Sequence, residues 1–277
     1  MTIQLYHCNI CPLSRFIVLL FKELKIEFTS HSQFFWRADI SLIKINALGT
    51  RPTAVIGKDN DIFIGVASIL SCIEDNFTSD EDVMVRLFGK YCDGKKNIDR
   101  HNSNKHHIDQ NQDHNSKNII KNNIKDLKIT INSKIKQKSQ IKQFFEWFCY
   151  RLYQDGVRPL IHEKITKVIE NSKEQPNSST IRQARKKIKR HLIYIEYLLT
   201  NKDQLYISGD EVTIADYAAT AQISVLDMIN EIDWSEYRNL RNWYALMKSR
   251  PSTQWMLSCP VPTILRCPNW YTDPDNF

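Results

Sequence analysis

Residues 209–229, GDEVTIADYAATAQISVLDMI, decide the fold. Thr213 stands at an N-cap position, where its hydroxyl can accept from the free backbone donors of a first helical turn. Asp216, three residues on, can reach back to the cap, and its charge favours the positive end of the helix dipole. Val212 and Tyr217 are spaced as a hydrophobic staple across that first turn. Beyond the cap, Ala215, Ala218, Ala219, Ala221, Ile223, Val225, Leu226, Met228 and Ile229 leave almost no polar face. A helix apolar nearly all round belongs in the middle of a helical domain, its small residues letting neighbours come close. This segment is expected to be the core helix of an all-helical half.

The composition fits that size of core. The chain has 277 residues, 42% of them hydrophobic, enough for one large or two ordinary domains. No run approaches the roughly 20 apolar residues of a spanning helix, and the N-terminus lacks the charged start and cleavage site of a signal peptide. A cytoplasmic protein with no membrane insertion is expected. Seven scattered cysteines (Cys8, Cys11, Cys72, Cys92, Cys149, Cys259 and Cys267) fit reduced thiols better than a disulfide framework. The net charge of +7 is local: residues 94–140 hold 11 Lys and Arg against 4 Asp, and the rest of the chain balances 27 against 27.

Upstream of that segment the pattern is α/β. Residues 3–7 (IQLYH) read as a buried strand, and Cys11-Pro-Leu-Ser14 opens a helix carrying Phe16, Leu19, Leu20 and Leu24 on one stripe. Strands are expected at 26–30, 52–56 and 61–65. Short helices are expected at 42–47 and 68–77. A polar loop between them holds Phe34, Phe35, Trp36 and Arg37. The order β-α-β-α-β-β-α in under 80 residues is too small for a doubly wound nucleotide domain. Residues 94–140 are rich in Asn, Lys, His, Gln and Ile without apolar periodicity, and read as a disordered basic insertion. His101, His106, His107 and His114 have neither partnering cysteines nor a fixed scaffold, so no metal site is expected there. Helices resume at Ile141. Pro159 is expected to kink or restart the first of them, and the next runs over 180–199 with Leu192, Ile195, Tyr197 and Leu198 inward. The core helix follows, then a helix over 234–249 that Pro251 ends. Four prolines after Cys259 exclude a regular element in the tail. The expected domains are 1–78, a linker with the insertion at 79–140, a helical domain at 141–258 and a Pro-rich tail at 259–277.

The opening strand, the Cys11-Pro12-x-Ser14 helix start, Asn46-x-x-Gly49-x-Arg51-Pro52 and Ala67-Ser68 together resemble the thioredoxin-like half of a glutathione transferase. The helical half resembles the C-terminal domain of the same family. The resemblance implies an α/β thioredoxin-like domain followed by an all-α domain, and dimerisation. It also implies a cis Pro52 that aligns backbone with glutathione, and Ser68 as receiver of that cofactor's carboxylate at a helix N-terminus. Within the family, three stretches (147–165, 191–229 and 242–251) are similar to the FzlA-type branch, whose members bind the bacterial division protein FtsZ. Trp36-Arg37 stands where that branch has a Trp-Glu-Arg loop, and PNWYTDPDNF resembles its Tyr-x-Asp-x-Asp-Phe ending, through Tyr271, Asp273 and Phe277. Asn276, an extra residue before Phe277, and the long insertion depart from that pattern.

Two functions remain open on these residues. One is a non-catalytic adaptor at the division site that binds FtsZ filaments and regulates their bundling or curvature. It would make contact through Trp36, Arg37 and the tail residues Tyr271, Asp273 and Phe277, with other division proteins reached through the tail. The other is a glutathione transferase or monothiol reductase acting through Cys11, whose position at a helix start lowers a thiol's pKa. Ser14 replaces the second cysteine of a Cys-Pro-x-Cys pair, so chemistry through one thiol is the most to expect. Ala67 stands where transferases place the Glu or Gln that takes the cofactor's amino group. Loss of such a contact weakens binding by about one to two orders of magnitude, so no cofactor is expected. The run Arg185–Arg190 reads either as a solvated helix face or as a contact for an acidic partner. A nucleic-acid partner is not expected, because the body is neutral and lacks a basic platform interleaved with aromatics.

Overall fold

A computed structural model describes residues 2–34, 39–76, 87–88, 136–170, 174–200 and 204–259. The first unit is a four-stranded sheet in the order β2-β1-β3-β4. Strand β1 (Ile3–His7) is central and β2 (Thr29–Ser32) lies parallel to it, which requires a crossover; α1 (Pro12–Glu23) supplies it. Helix α2 (Ile40–Ile45) leads to β3 (Thr53–Ile56), antiparallel to β1, and β4 (Asp61–Ile64) closes the antiparallel edge. Helix α3 (Gly65–Asn76) follows. The expected element order holds. Two boundaries moved by three residues: β2 begins at Thr29 rather than Ile26, whose side chain packs against the core outside any strand. Helix α3 starts at Gly65, because a φ of +82° there turns the chain straight from β4 into the helix, ahead of the expected start at Ser68.

The second unit is helical. Helix α4 runs through residues 136–169, beginning before the expected start at Ile141. It is continuous, with wide π-type turns over Trp147–Val157 and His162–Thr166. Pro159 does not restart it, since the backbone stays helical on either side. The wide turns on either side take up the missing backbone donor and the ring clash that would break a regular helix. Helix α5 (Ser178–Leu198) starts at Asn177, whose carboxamide oxygen accepts from Ser179 N at 2.9 Å and Thr180 N at 3.1 Å. Gly156 is where α4 and α5 press together: a Cβ there would stand 2.4 Å from Ile188 Cγ1. Tyr197 does not pack inward as expected. It is 71% exposed, because the buried stripe of α5 is Ala184, Ile188, Leu192 and Ile195, and position 197 falls off that stripe.

Helix α6 (Ile214–Met228) is buried along its whole length, as its sequence requires. A short 3₁₀ turn, Trp234–Glu236, precedes α7 (Arg238–Lys248). Pro251 does not merely end that helix. It begins α8 (Pro251–Ser258), since proline is well suited to a first helical turn. No helix among the described residues is long and apolar enough to cross a membrane.

The start of α6 is the most connected point of the helical unit. The reciprocal capping box between Thr213 and Asp216 is present. The Asp216 carboxylate accepts Thr213 N at 2.9 Å and the Thr213 hydroxyl at 3.0 Å on one oxygen. On the other it accepts Ile207 N at 2.9 Å and Trp243 Nε1 at 3.1 Å. One side chain thus joins α6 to the preceding loop and to α7. Complete burial pushes its pKa above the ordinary carboxylate range, against the pull of the four donors.

Two cationic side chains tie the helical unit to the sheet unit. Arg15, on α1 and 1% exposed, donates through Nη1 to Ser224 Oγ at 2.8 Å and through Nη2 to Met228 Sδ at 3.2 Å, both on α6. Arg250, between α7 and α8, donates to Glu23 Oε1 on α1 at 2.6 Å and to the Tyr217 hydroxyl on α6 at 2.9 Å.

Asp216→Ala should therefore cost about 3 kcal/mol or more, since it strands buried donors on three elements, while Thr213→Ala should cost about 1 kcal/mol. Denaturant titration of both variants measures the pair. Equal losses would contradict the reading of Asp216 as a tertiary junction.

Candidate functional site

A cavity of about 720 Å³ opens between the two units, and its walls come from both. The sheet unit supplies Cys8, Cys11, Thr50 and Arg51; α4 supplies Tyr153, Gln154, Arg158 and His162. Cys11 is the N-cap of α1, half-buried, with its carbonyl accepting Arg15 N at 2.9 Å and Pro12 in the first turn. Its thiol makes no capping hydrogen bond and stands at the start of α1. Cys8 is buried at the end of β1, and burial, then the neighbouring Cys11 thiol, pushes its pKa up to about 11. At neutral pH it stays protonated, so the formal Cys-x-x-Cys offers one usable sulfur.

The opposite wall depends on the wide turns of α4. Tyr153 is held there half-buried. Burial, then the Cys11 and Cys8 thiols, raises its phenol pKa, with Arg158 and Arg51 opposing. It is a neutral hydrogen-bonding group facing the thiol. Arg158 donates to Gln154 Oε1 at 2.9 Å, and the Arg51 guanidinium donates to the Phe34 carbonyl. Two cations and one thiol in a shared cavity suit a small anionic ligand or a thiol-bearing one. Sequence reading missed Tyr153, Gln154, Arg158 and His162. The available signal was a glycine and a proline, Gly156 and Pro159, inside one helical pattern, which marks a helix bent out of regular geometry.

The other expected site residues divide. The Arg51–Pro52 bond is cis. Pro52 itself is buried behind the cavity wall, and its carbonyl accepts Gly65 N at 2.9 Å. Ser68 stands outside the cavity lining, and its hydroxyl donates to the Ile64 carbonyl at 2.7 Å. The structure thus brings Cys11 and Arg51 together and leaves Pro52 and Ser68 in the supporting layer. Trp36, Arg37, Tyr271, Asp273 and Phe277 lie outside the described residues, as does the insertion over 94–135.

A second feature is the basic run on α5. Arg185 pairs with Glu231 at 2.7 Å, Lys189 with Glu236 at 2.7 Å, and Lys187 with Asp155 at 3.7 Å. The first two pairs flank a groove of about 730 Å³ between α5 and the 3₁₀ turn, floored by Ile188, Leu192, Trp234 and Tyr237.

Comparison with known proteins agrees with this architecture. Residues 160–255 match the family model described as glutathione S-transferase, C-terminal domain. FtsZ-localized protein A of Caulobacter vibrioides is 30% identical over 115 residues, which is 42% of this chain and 49% of that protein. The chain therefore aligns with about half the length of that curated relative. Among solved structures, a glutathione S-transferase from Sinorhizobium meliloti superposes with a TM-score of 0.74 at 24% identity, covering 99% of this chain and 100% of the other. FzlA from C. crescentus superposes with a TM-score of 0.73 at 22% identity, with 99% and 100% covered. The fold is that of the glutathione transferases.

Thiol chemistry gives a direct check on the cavity. Among Cys8, Cys11, Cys72 and Cys149, iodoacetamide at neutral pH should modify Cys11 first, since burial raises the pKa of the other three. Peptide mapping by mass spectrometry reads the order. Rapid modification of Cys8 in the folded chain would contradict the site as described.

Proposed function

We propose that this chain, built on a glutathione transferase fold, is a non-catalytic adaptor that binds FtsZ filaments at the division site. The observation that carries the reading is the 30% identity to FtsZ-localized protein A, with FzlA sharing the fold along the whole chain. The local chemistry supports it from the other side. Glutathione recognition in this fold needs an anion-receiving serine and a polar residue before it. Here the Ser68 hydroxyl is spent on the Ile64 carbonyl, and Ala67 offers no side-chain donor or acceptor. Weakened glutathione recognition of this kind favours an adaptor over an efficient transferase.

In this reading Trp36 and Arg37 contact the filament, because a large aromatic in a polar loop is the residue type that anchors interfaces. The tail residues Tyr271, Asp273 and Phe277 reach further division proteins. A homodimer gives two filament contacts, so that one assembly bridges or bends a polymer by avidity. Exposed Ile62 and Ile64 on the edge strand β4 support a second copy packing on the sheet unit. The protein works in the cytoplasm under this reading.

One observation favours a second reading. Cys11 lines a cavity that also holds Arg51 and Arg158, a constellation able to hold an anionic thiol such as glutathione beside a reactive sulfur. That reading makes the chain a glutathione transferase or a reductase acting through one thiol.

A pair of substitutions separates them. Under the adaptor reading, Trp36→Ala weakens cosedimentation with assembled FtsZ by about 2 kcal/mol, roughly thirtyfold, while Cys11→Ser changes it little. Under the enzyme reading, Cys11→Ser abolishes thiol transfer and Trp36→Ala leaves it largely intact. Retention on immobilised glutathione without pelleting beside FtsZ filaments overturns the adaptor proposal.

A further inference from the structure

The cations of α5 fall into two sets. Arg185, Lys187 and Lys189 are neutralised by acidic partners on neighbouring elements, whereas Arg182, Lys186 and Arg190 have no acidic partner among the described residues. These three stand at i, i+4 and i+8, so they share one face, and Ile193 and Tyr197 extend the same row at i+11 and i+15. That row lies opposite the buried stripe. A merely solvated face has no use for its last two members, an isoleucine 53% exposed and a tyrosine 71% exposed. The tyrosine is also held in place. Its ring stacks on Tyr194 with centroids 6.4 Å apart, and Tyr194 meets the half-buried Trp147 edge-on at 4.6 Å. Trp147 in turn stacks on the buried Phe148 at 5.0 Å. An exposed aromatic anchored to the core through a ladder of rings loses little freedom on binding, which is what an interface anchor requires.

We infer that this outer face of α5 is a docking surface for an extended acidic segment of a partner protein that carries an apolar side chain at one end. The spacing fits that class of ligand. Cations four residues apart on a helix are about 6 Å apart along its axis, and alternate side chains of an extended chain repeat at about 6.6 Å. Carboxylates at every second position of an extended segment therefore meet Arg182, Lys186 and Arg190 in turn. The row from Arg182 to Tyr197 spans about 22 Å, the length of about seven extended residues. Its charge is not a by-product of a generally basic surface, because the chain outside residues 94–140 carries 27 Lys and Arg against 27 Asp and Glu. The surface lies on α5 and does not rest on the FtsZ reading.

The test is fluorescence anisotropy on the full chain with a labelled glutamate-rich peptide containing one terminal phenylalanine, beside the same peptide with alanine in its place. Binding should weaken as salt rises. Arg182→Gln with Lys186→Gln and Arg190→Gln should weaken it about tenfold and flatten the salt dependence. Tyr197→Ala should weaken the phenylalanine peptide about tenfold and leave the alanine peptide nearly unchanged. All four positions are exposed, so an unchanged thermal midpoint accompanies these losses. Equal binding by wild type and the charge variant overturns the inference. So does sedimentation with phosphatidylserine vesicles in place of peptide binding, which assigns the face to a membrane surface. A fall in oligomeric mass on Tyr197→Ala, with no peptide binding by the wild type, overturns it too and assigns the face to a second copy.

Discussion

The fold depends on one fully buried carboxylate. Asp216 accepts four hydrogen bonds from Thr213, Ile207 and Trp243, and each donor belongs to a part of the helical unit that must be in register with α6. A buried carboxylate without those donors would be strongly unfavourable, and the donors would be orphaned without it. The network therefore forms whole or not at all. It fixes the start of α6 in the one position from which the rest of the helix can fill the centre. Small residues along α6 then let α1 and α4 approach closely, and those two helices carry the opposite walls of the cavity.

The two units are joined by polar side chains set into an apolar seam. Arg15 reaches from α1 to Ser224 and Met228, and Arg250 joins Glu23 to Tyr217. Apolar contacts between α1 and α6 supply the stability, while these directional bonds specify one orientation among the many that apolar packing alone would tolerate. A fixed orientation matters for either function. It holds Cys11 against Tyr153, and it holds the sheet unit at a set angle to the outer face of α5. Under the adaptor proposal, bridging or bending a polymer requires contact surfaces whose relative geometry does not drift.

What could be read from the sequence was what local chemistry determines. The capping box of α6 lies within four residues, and its apolar surround follows from composition, so both were legible. The order of strands and helices in the first unit was legible for the same reason. The misread points differ in cause. Pro159 reads as a break until Gly156 pressed on Ile188 gives α4 its wide turns. Pro251 reads as an end, yet it also begins α8: the residue before a proline is held extended, which makes Arg250 an N-cap. Tyr197 reads as core by its type and is exposed by its angle. The cavity was half legible. Cys11 announces itself by its place before Pro12, whereas Tyr153 and Arg158 join it only through the path of α4.

Native-state hydrogen exchange tests most directly whether the seam welds the two units into one body. The amides of α1, in the sheet unit, and of α6, in the helical unit, belong to a single cooperative block if Arg15 and Arg250 do what their geometry implies. Their opening free energies should then coincide, and should fall together in denaturant. Should α1 and the strands open at a markedly lower free energy while α6 stays protected, the units are separately stable. The fixed angle between the cavity and the α5 face would then be contradicted.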